Sequence, residues 1–232
     1  MPENSIIKTV TISKTPSGKY YISMLVEYEN QILPVIPKTF LGLDFAMHSL
    51  YVASDEDEAK YPDFLRKAEK RLAKAQRKLS QKQKESHNRE KQRLRVAILH
   101  EKVANQRRDF LHKKARYLAD RYDVIGIEDI SVKAMAKRKK GGKFSFGKSV
   151  ADNGWNMFTN MLEYKLAWQG KKLIKIDKWY PSSQLCHVCG YQNHETKDLS
   201  VREWDCPKCG SHHNRDKNAA INIREEARRI SA

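Results

Sequence analysis

The chain has 232 residues, of which 45 are lysine or arginine and 28 are acidic, for a net charge of +17. A polyanion is the natural partner of such a surface, and an apolar share of 40% supports a real core. No apolar run reaches the ~18 residues of a membrane span, and no hydrophobic stretch follows Met1-Pro2-Glu3-Asn4 to make a signal peptide. The expectation is a cytoplasmic, nucleoid-associated protein with neither a membrane partner nor a small-molecule substrate.

Ile6 to Ile12 and Tyr20 to Tyr28 alternate apolar with polar residues around the turn Thr15-Pro16-Ser17-Gly18, which predicts a β-hairpin. Two strands alone are marginal in water, so the hairpin must lean on other structure. Asn30 to Lys38 reads as a connector. Thr39-Phe40-Leu41-Gly42-Leu43-Asp44 is a short apolar strand ending in a carboxylate. Ser49 to Ser54 is a second strand, and Ala59 to Tyr61 offers a short third.

From Pro62 to Tyr122 the period becomes helical. Leu65, Ala68, Leu72, Ala75 and Leu79 form a heptad seam. After a polar break from Ser80 to Asn88, a second helix is marked by Leu94, Ala97 or Ile98, Ala104, Leu111, Ala115 and Leu118. One break between two helices predicts an antiparallel hairpin. The segment holds 20 lysines and arginines against 7 acids. A solvated face is the plain reading of a charge run, but an excess this lopsided repels itself and favours a phosphate-facing role.

Asp123-Val124-Ile125-Gly126-Ile127-Glu128-Asp129 is a buried strand ending in carboxylates. Ser131 to Ser149 reads as a basic Lys/Gly-rich loop. Trp155, Phe158, Met161, Leu162, Leu166 and Trp168 have helical spacing, with Gly170 as the cap, and read as core. Lys172 to Asp177 is the last strand of this part, and a final helix runs from Asn214 through Ala227.

Cys186, Cys189, Cys206 and Cys209 are the chain's only cysteines. They form two C-x2-C knuckles, each followed by a glycine, at a spacing that suits a four-thiolate zinc site. Two disulfides or four unrelated thiols are the alternatives. Four thiolates close the coordination sphere, so such a zinc is structural. His187, His194, His212 and His213 nearby read as spectators or phosphate contacts.

Gly42-Leu43-Asp44 and Gly126-Ile127-Glu128 share one grammar, an acid at the carboxyl end of an apolar strand. Ligands of open sheets gather outside that end. Asp216 sits on the first turn of the last helix. Three carboxylates brought together would repel by about 4 kcal/mol per pair at 4 Å in a protein-like dielectric. A hard divalent cation, Mg2+ or Mn2+, relieves that repulsion, and two such ions would clamp the oxygens of a phosphodiester. Each acid also has a plainer role. A lone Asp after a strand is usually a turn residue, Asp129 competes with Glu128 for the inward face, and Asp216 could cap its helix.

Together these residues resemble the TnpB/OrfB proteins of insertion-sequence transposons. The matching stretches are Gly42-Leu43-Asp44, Tyr61-Pro62-Asp63-Phe64-Leu65-Arg66-Lys67 and Ala104-Asn105-Gln106-Arg107-Arg108-Asp109-Phe110-Leu111-His112-Lys113. They continue with Ile125-Gly126-Ile127-Glu128-Asp129, Pro181-Ser182-Ser183-Gln184-Leu185-Cys186 and the run from Asn214 to Ile223. The resemblance implies an α/β fold, with an RNase H-like, RuvC-type nuclease core interrupted by a basic helical hairpin and a zinc ribbon. It implies RNA-guided DNA cleavage, with Asp44, Glu128 and Asp216 as the Mg2+-binding triad and the four cysteines as a zinc ribbon that binds the target. It further implies a lid in the Ser131 to Ser149 loop. The partners would be DNA and a guide RNA.

The expected domains are residues 1–38 as the end of an N-terminal β-barrel, 39–183 as the nuclease core with the hairpin at 62–122, 184–213 as the ribbon and 214–232 as the final helix. The competing reading is a nucleic-acid-binding module without turnover, such as a repressor or partner of a longer copy. A strand-transferring transposase is weaker, since no nucleophilic tyrosine stands in a recognisable motif.

Overall fold

A computed structural model describes residues 5–29, 31–47, 49–57, 59–130 and 154–232, so the loop expected from Ser131 to Ser149 lies outside the described residues. Contacts divide the chain into two compact units: the residues up to Ile32 with Asp63–Phe110, and Leu33–Pro62 with Leu111–Ala232. No helix among the described residues is long and apolar enough to cross a membrane.

In the first unit β1 (Ile6–Lys14) and β2 (Tyr20–Glu27) pair antiparallel. Gly18, at φ 90°, completes the turn between them. Both strands are exposed along almost their whole length, and the Glu101 carboxylate lies 3.2 Å from Lys19. Ser17 first, then Lys19 and Tyr21, hold that carboxyl below its ordinary pKa.

Two helices complete the unit, α1 (Phe64–Ser80) and α2 (His87–Arg121), the latter running on into the second unit. They are antiparallel, with the rings of Phe64 and Phe110 6.1 Å apart at one end. Farther along, the Gln92 amide donates to the Ala75 carbonyl at 2.9 Å. The seam predicted on α1 is its inner face: Leu72 is buried, and Leu65, Ala68, Ala75 and Leu79 are half-buried. On α2 the prediction needs correction in part: Leu94, Ile98 and Ala104 are exposed, Ala97 is half-buried, and the inner face also takes Gln92, Val96, Leu99 and Val103. The buried Gln92, satisfied across the seam, interrupts the apolar pattern on which a periodic reading depends. Leu111, Ala115 and Leu118 are fully buried, as expected.

The second unit is built on a four-stranded sheet of β3 (Phe40–Phe45), β4 (Tyr51–Ala53), β5 (Val124–Glu128) and β6 (Lys172–Ile176), in the order β4-β3-β5-β6. β3, β5 and β6 are parallel, and β4 is an antiparallel edge. Leu41, Leu43, Val124, Ile125 and Ile127 are buried, the pattern of a sheet covered on both faces. Ala59 and Tyr61 are buried and Lys60 is exposed, yet the segment forms no strand. The alternation is real, but Pro62 at its end has no N–H for a ladder.

Helix α3 (Trp155–Ala167) buries Trp155, Phe158, Leu162 and Leu166, and Phe158 stacks on Tyr51 at 5.6 Å. Trp168, expected in that stripe, is 60% exposed. The helix has already closed: Gly170 takes φ 70°, its N–H donates to Ala167 O, and Lys171 N–H donates to Leu166 O. That is a Schellman closure.

The last helix, α4 (Arg215–Ser231), packs on β3 and β5. A Cβ on Gly42 would lie 2.0 Å from the Ala220 carbonyl oxygen, and one on Gly126 would lie 2.6 Å from the Ala227 Cβ. The glycines of the two strand motifs are thus where the helix backbone comes closest. Gly42→Ala is expected to destabilise the fold by about 3 kcal/mol or more, the upper range for overpacking, because it meets backbone. Gly126→Ala should cost less, since it meets a side-chain methyl first. Urea midpoints of the two variants check this order.

Candidate metal-dependent active site and thiolate centre

Leu43 pairs with Ile127 on adjacent parallel strands, so the next residues, Asp44 and Glu128, stand at the carboxyl ends of β3 and β5. Asp216 is in the first turn of α4. All three line one cleft of about 800 Å3, together with Ser182, Arg202 and Arg215. Glu128 faces the cleft, whereas Asp129 is exposed and its N–H is tied to Ile176 O at 3.3 Å. Asp216 does not serve as the cap. Asn214 does, its side chain accepting from Lys217 N–H at 3.1 Å.

The electrostatics of the cleft are strained. Burial first, then the charges of Glu128 and Asp216, push the Asp44 carboxyl well above the usual carboxylate range, and Arg215 opposes them only in part. Burial also raises Glu128, against a hydrogen bond donated by the Ser182 hydroxyl. Asp216 has cationic neighbours, Arg202 Nη1 at 3.2 Å and Arg215 Nε at 3.5 Å.

The raised Asp44 makes a stability prediction for protein in Mg2+-free buffer. An acid with a folded-state pKa above its unfolded value of about 3.9 destabilises the fold increasingly as pH rises through that interval. Below the interval both states are protonated and the penalty is absent. Asp44→Asn should therefore melt higher than the natural protein at neutral pH, and the gap should close as pH falls toward about 4. Melting curves across that range check it.

An all-oxygen set of acids lining one cleft fits a hard divalent cation. The four cysteines offer a different chemistry. Their ligand atoms all lie within 4.8 Å of one another, the one group of this kind among the described residues. The Cys189–Cys206 and Cys186–Cys209 sulfur distances are 3.5 and 3.7 Å. Both are far beyond a disulfide bond of about 2.05 Å. They are close to the ~3.8 Å edge of a tetrahedron with ~2.3 Å zinc–sulfur bonds. The cysteines therefore can hold a metal such as zinc.

The cysteines sit in a small ribbon between β6 and α4, with β7 (Glu203–Asp205) and β8 (His212–Asn214) paired antiparallel. Of the neighbouring histidines, His213 is buried with Nε2 3.1 Å from Cys186 Sγ. His187 Nδ1 lies 2.9 Å from Asn218 Oδ1, and His212 Nδ1 lies 2.8 Å from Asp205. These three have structural partners, and a buried His213 has no access to a phosphate.

Several contributing residues carry only a faint signal in the sequence. Asn218 Nδ2 donates to Leu185 O, and Asn222 Nδ2 donates to the carbonyls of Ser182 and Leu185, all at 2.7 Å. Both asparagines are buried, four residues apart on one face of α4. They tie the segment leading into the ribbon to the helix that carries Asp216. Two asparagines at i and i+4 inside the apolar run Asn218-Ala219-Ala220-Ile221-Asn222-Ile223 could have flagged them. Nothing local marks Ser182, Arg202 or Arg215 as cleft residues.

This mixed α/β fold is similar to that of Cas12f1. The Cas12f1 chain of a complex with sgRNA and target DNA matches at TM-score 0.52 and 21% identity, over 93% of this chain and 55% of that one. Residues 23–139 match the IS605 OrfB model, described as "Probable transposase", and residues 155–223 match the "Cas12f1-like, TNB domain". The chain belongs to this OrfB family, the TnpB proteins. A Streptomyces pristinaespiralis relative with the provisional name RNA-guided DNA endonuclease is 39% identical over 96% of this chain and 54% of its own length. The CRISPR-associated endodeoxyribonuclease Cas12f1 of Sulfoacidibacillus thermotolerans is 27% identical over 89% of this chain and 50% of its own. The chain spans about half the length of the curated relatives it matches.

Proposed function

We propose that the chain is the nuclease portion of a TnpB-type, RNA-guided DNA endonuclease, with an RNase H-like core of the RuvC type. One observation carries the reading: acids from three separate elements, Asp44, Glu128 and Asp216, line the same cleft, and after burial itself the charges of Glu128 and Asp216 push the Asp44 carboxyl up. Held by these carboxylates, Mg2+ or Mn2+ would supply charge neutralisation at a phosphodiester and acidify a water for attack on phosphorus. Asp44 and Glu128 give that site a fixed base, because they stand on paired strands whose backbones cannot move independently. The Ser182 hydroxyl holds one oxygen of Glu128 and leaves the other for the cleft. Arg202 and Arg215 flank Asp216 and set positive charge where a DNA phosphate would enter.

In this reading residues 39–183 form the core with the helical hairpin at 62–122, residues 184–213 form a zinc ribbon, and residues 214–232 form the final helix. Residues 1–38, with their hairpin, are the end of a β-barrel. The relatives' names support guide RNA and DNA as the partners. The purified chain, given its co-purifying RNA and plasmid or single-stranded DNA, should cut when Mg2+ or Mn2+ is added and not in their absence. Binding without any cut under either ion would favour the silent module instead.

A further inference from the structure

The face of the helical hairpin holds a groove that the cleft chemistry does not use. Two hollows of about 390 and 200 Å3 lie between α1 and α2 and share Arg71 and Leu99, so they form one continuous groove. Its floor is apolar, with Ala68, Ala75, Leu99 and Val103. Its rims are cationic. Lys67, Arg71, Lys74 and Lys78 line one side at steps of four, three and four residues, and Arg95 and Lys102 line the other.

All six cations are exposed, and none makes an ion pair with a carboxylate among the described residues. Three acids of these helices pair elsewhere: Glu90 with Arg93 at 2.8 Å, Glu101 with Lys19 at 3.2 Å and Asp120 with Arg116 at 2.8 Å, and neither Glu69 nor Asp109 lines the groove. The four-cation rim runs about 17 Å at ~1.5 Å per residue. That is long enough to meet several phosphates of one strand of a duplex, which carries one charge per ~3.4 Å of helix axis.

We propose that this groove is a docking track for one backbone strand of duplex DNA, bound without regard to sequence. Single-stranded nucleic acid is disfavoured, because binding it calls for a row of stacking aromatics, and Phe64 is the sole aromatic residue lining the groove. RNA is disfavoured because its 2′-hydroxyls need polar partners. The groove's uncharged polar side chains are Gln106 and Gln92, and Gln92 is already bonded to Ala75. The choice of DNA also rests on the nuclease reading above, whereas the phosphate track rests on the groove alone.

The test is equilibrium binding of a 20-base-pair DNA duplex to the full chain over a range of salt, in Mg2+-free buffer. The groove variant carries Lys67→Gln, Arg71→Gln, Lys74→Gln and Lys78→Gln, changes that keep helix propensity. The control carries Lys70→Gln, Arg77→Gln, Lys91→Gln and Arg108→Gln, exposed on the same helices but outside the groove. The groove variant should bind more weakly and lose about 3–4 from the slope of log K against log salt, at ~0.9 per phosphate contact. The control should lose less than about 1. Equal losses in both variants, or a groove-dependent loss seen only with an RNA duplex or a single strand, would overturn the proposal. Cleavage that still depends on Asp44 in that event would leave the nuclease reading standing.

Discussion

Alanine at Asp44 is expected to abolish divalent-metal-dependent cleavage of DNA, a loss of about a thousandfold or more, and to leave DNA binding nearly unchanged. The size follows from what the acid would do. A metal that neutralises charge at the phosphorus contributes several kcal/mol to the transition state, and each 1.36 kcal/mol is a factor of ten in rate. Binding should survive because the surface positive charge, not the acids, attracts phosphate. Misfolding is a weak rival explanation, since Asp44 is an acid that its surroundings disfavour when charged. Its removal should leave the fold as stable as before in Mg2+-free buffer. Rates and dissociation constants measured on the same preparations check this, and cleavage at the natural rate would sink the mechanism.

Stripping metal from the four cysteines should have the second largest effect, lowering cleavage and DNA binding together. The ribbon has almost no core of its own. Its buried cluster is Cys186, Trp204 and Cys206, with Cys189 and Val201 packed against them. The paired strands are three residues each. Structures this small depend on a staple, and structural zinc supplies on the order of 10 kcal/mol where such sites have been studied. The loss should spread, because β8 ends at Asn214, the residue that caps α4 two positions before Asp216. Asn218 and Asn222 form a second link, from the ribbon's leading segment to α4. A chelator that removes the thiolate-bound metal, followed by assay in fresh Mg2+, should therefore leave a slow enzyme that zinc restores. Undiminished cleavage by zinc-depleted protein would break the coupling.

The candidate residues are more legible in the sequence than the packing is. Two knuckles of paired cysteines and two strands ending in acids are local patterns; the structure puts the four thiols within 4.8 Å of one another and places Asp44 and Glu128 along one cleft. The choice between Glu128 and Asp129 was open in the sequence, because alternation says only that they face opposite ways. The glycines at 42 and 126 were visible as a shared grammar, but their cause is the approach of a helix more than 90 residues away in the chain. Gln92 shows the converse limit: a polar residue satisfied across a helix pair is buried against expectation, and it shifted the apparent inner face of α2. Trp168 fell outside its stripe because the Gly170 closure ended the helix one residue earlier. Arg202 meets Asp216 only once the ribbon folds back on α4, which no periodicity encodes, whereas Arg215 is its neighbour in the chain.

The most direct test of the central claim is a Mn2+ titration followed by electron paramagnetic resonance, on zinc-loaded protein without nucleic acid. The natural chain should bind Mn2+. Asp44→Asn, Glu128→Gln and Asp216→Asn should each weaken that binding by about tenfold or more, since even outer partners of metal ligands cost that much. Unchanged Mn2+ affinity in all three variants would contradict the assignment of the cleft as a divalent-metal site.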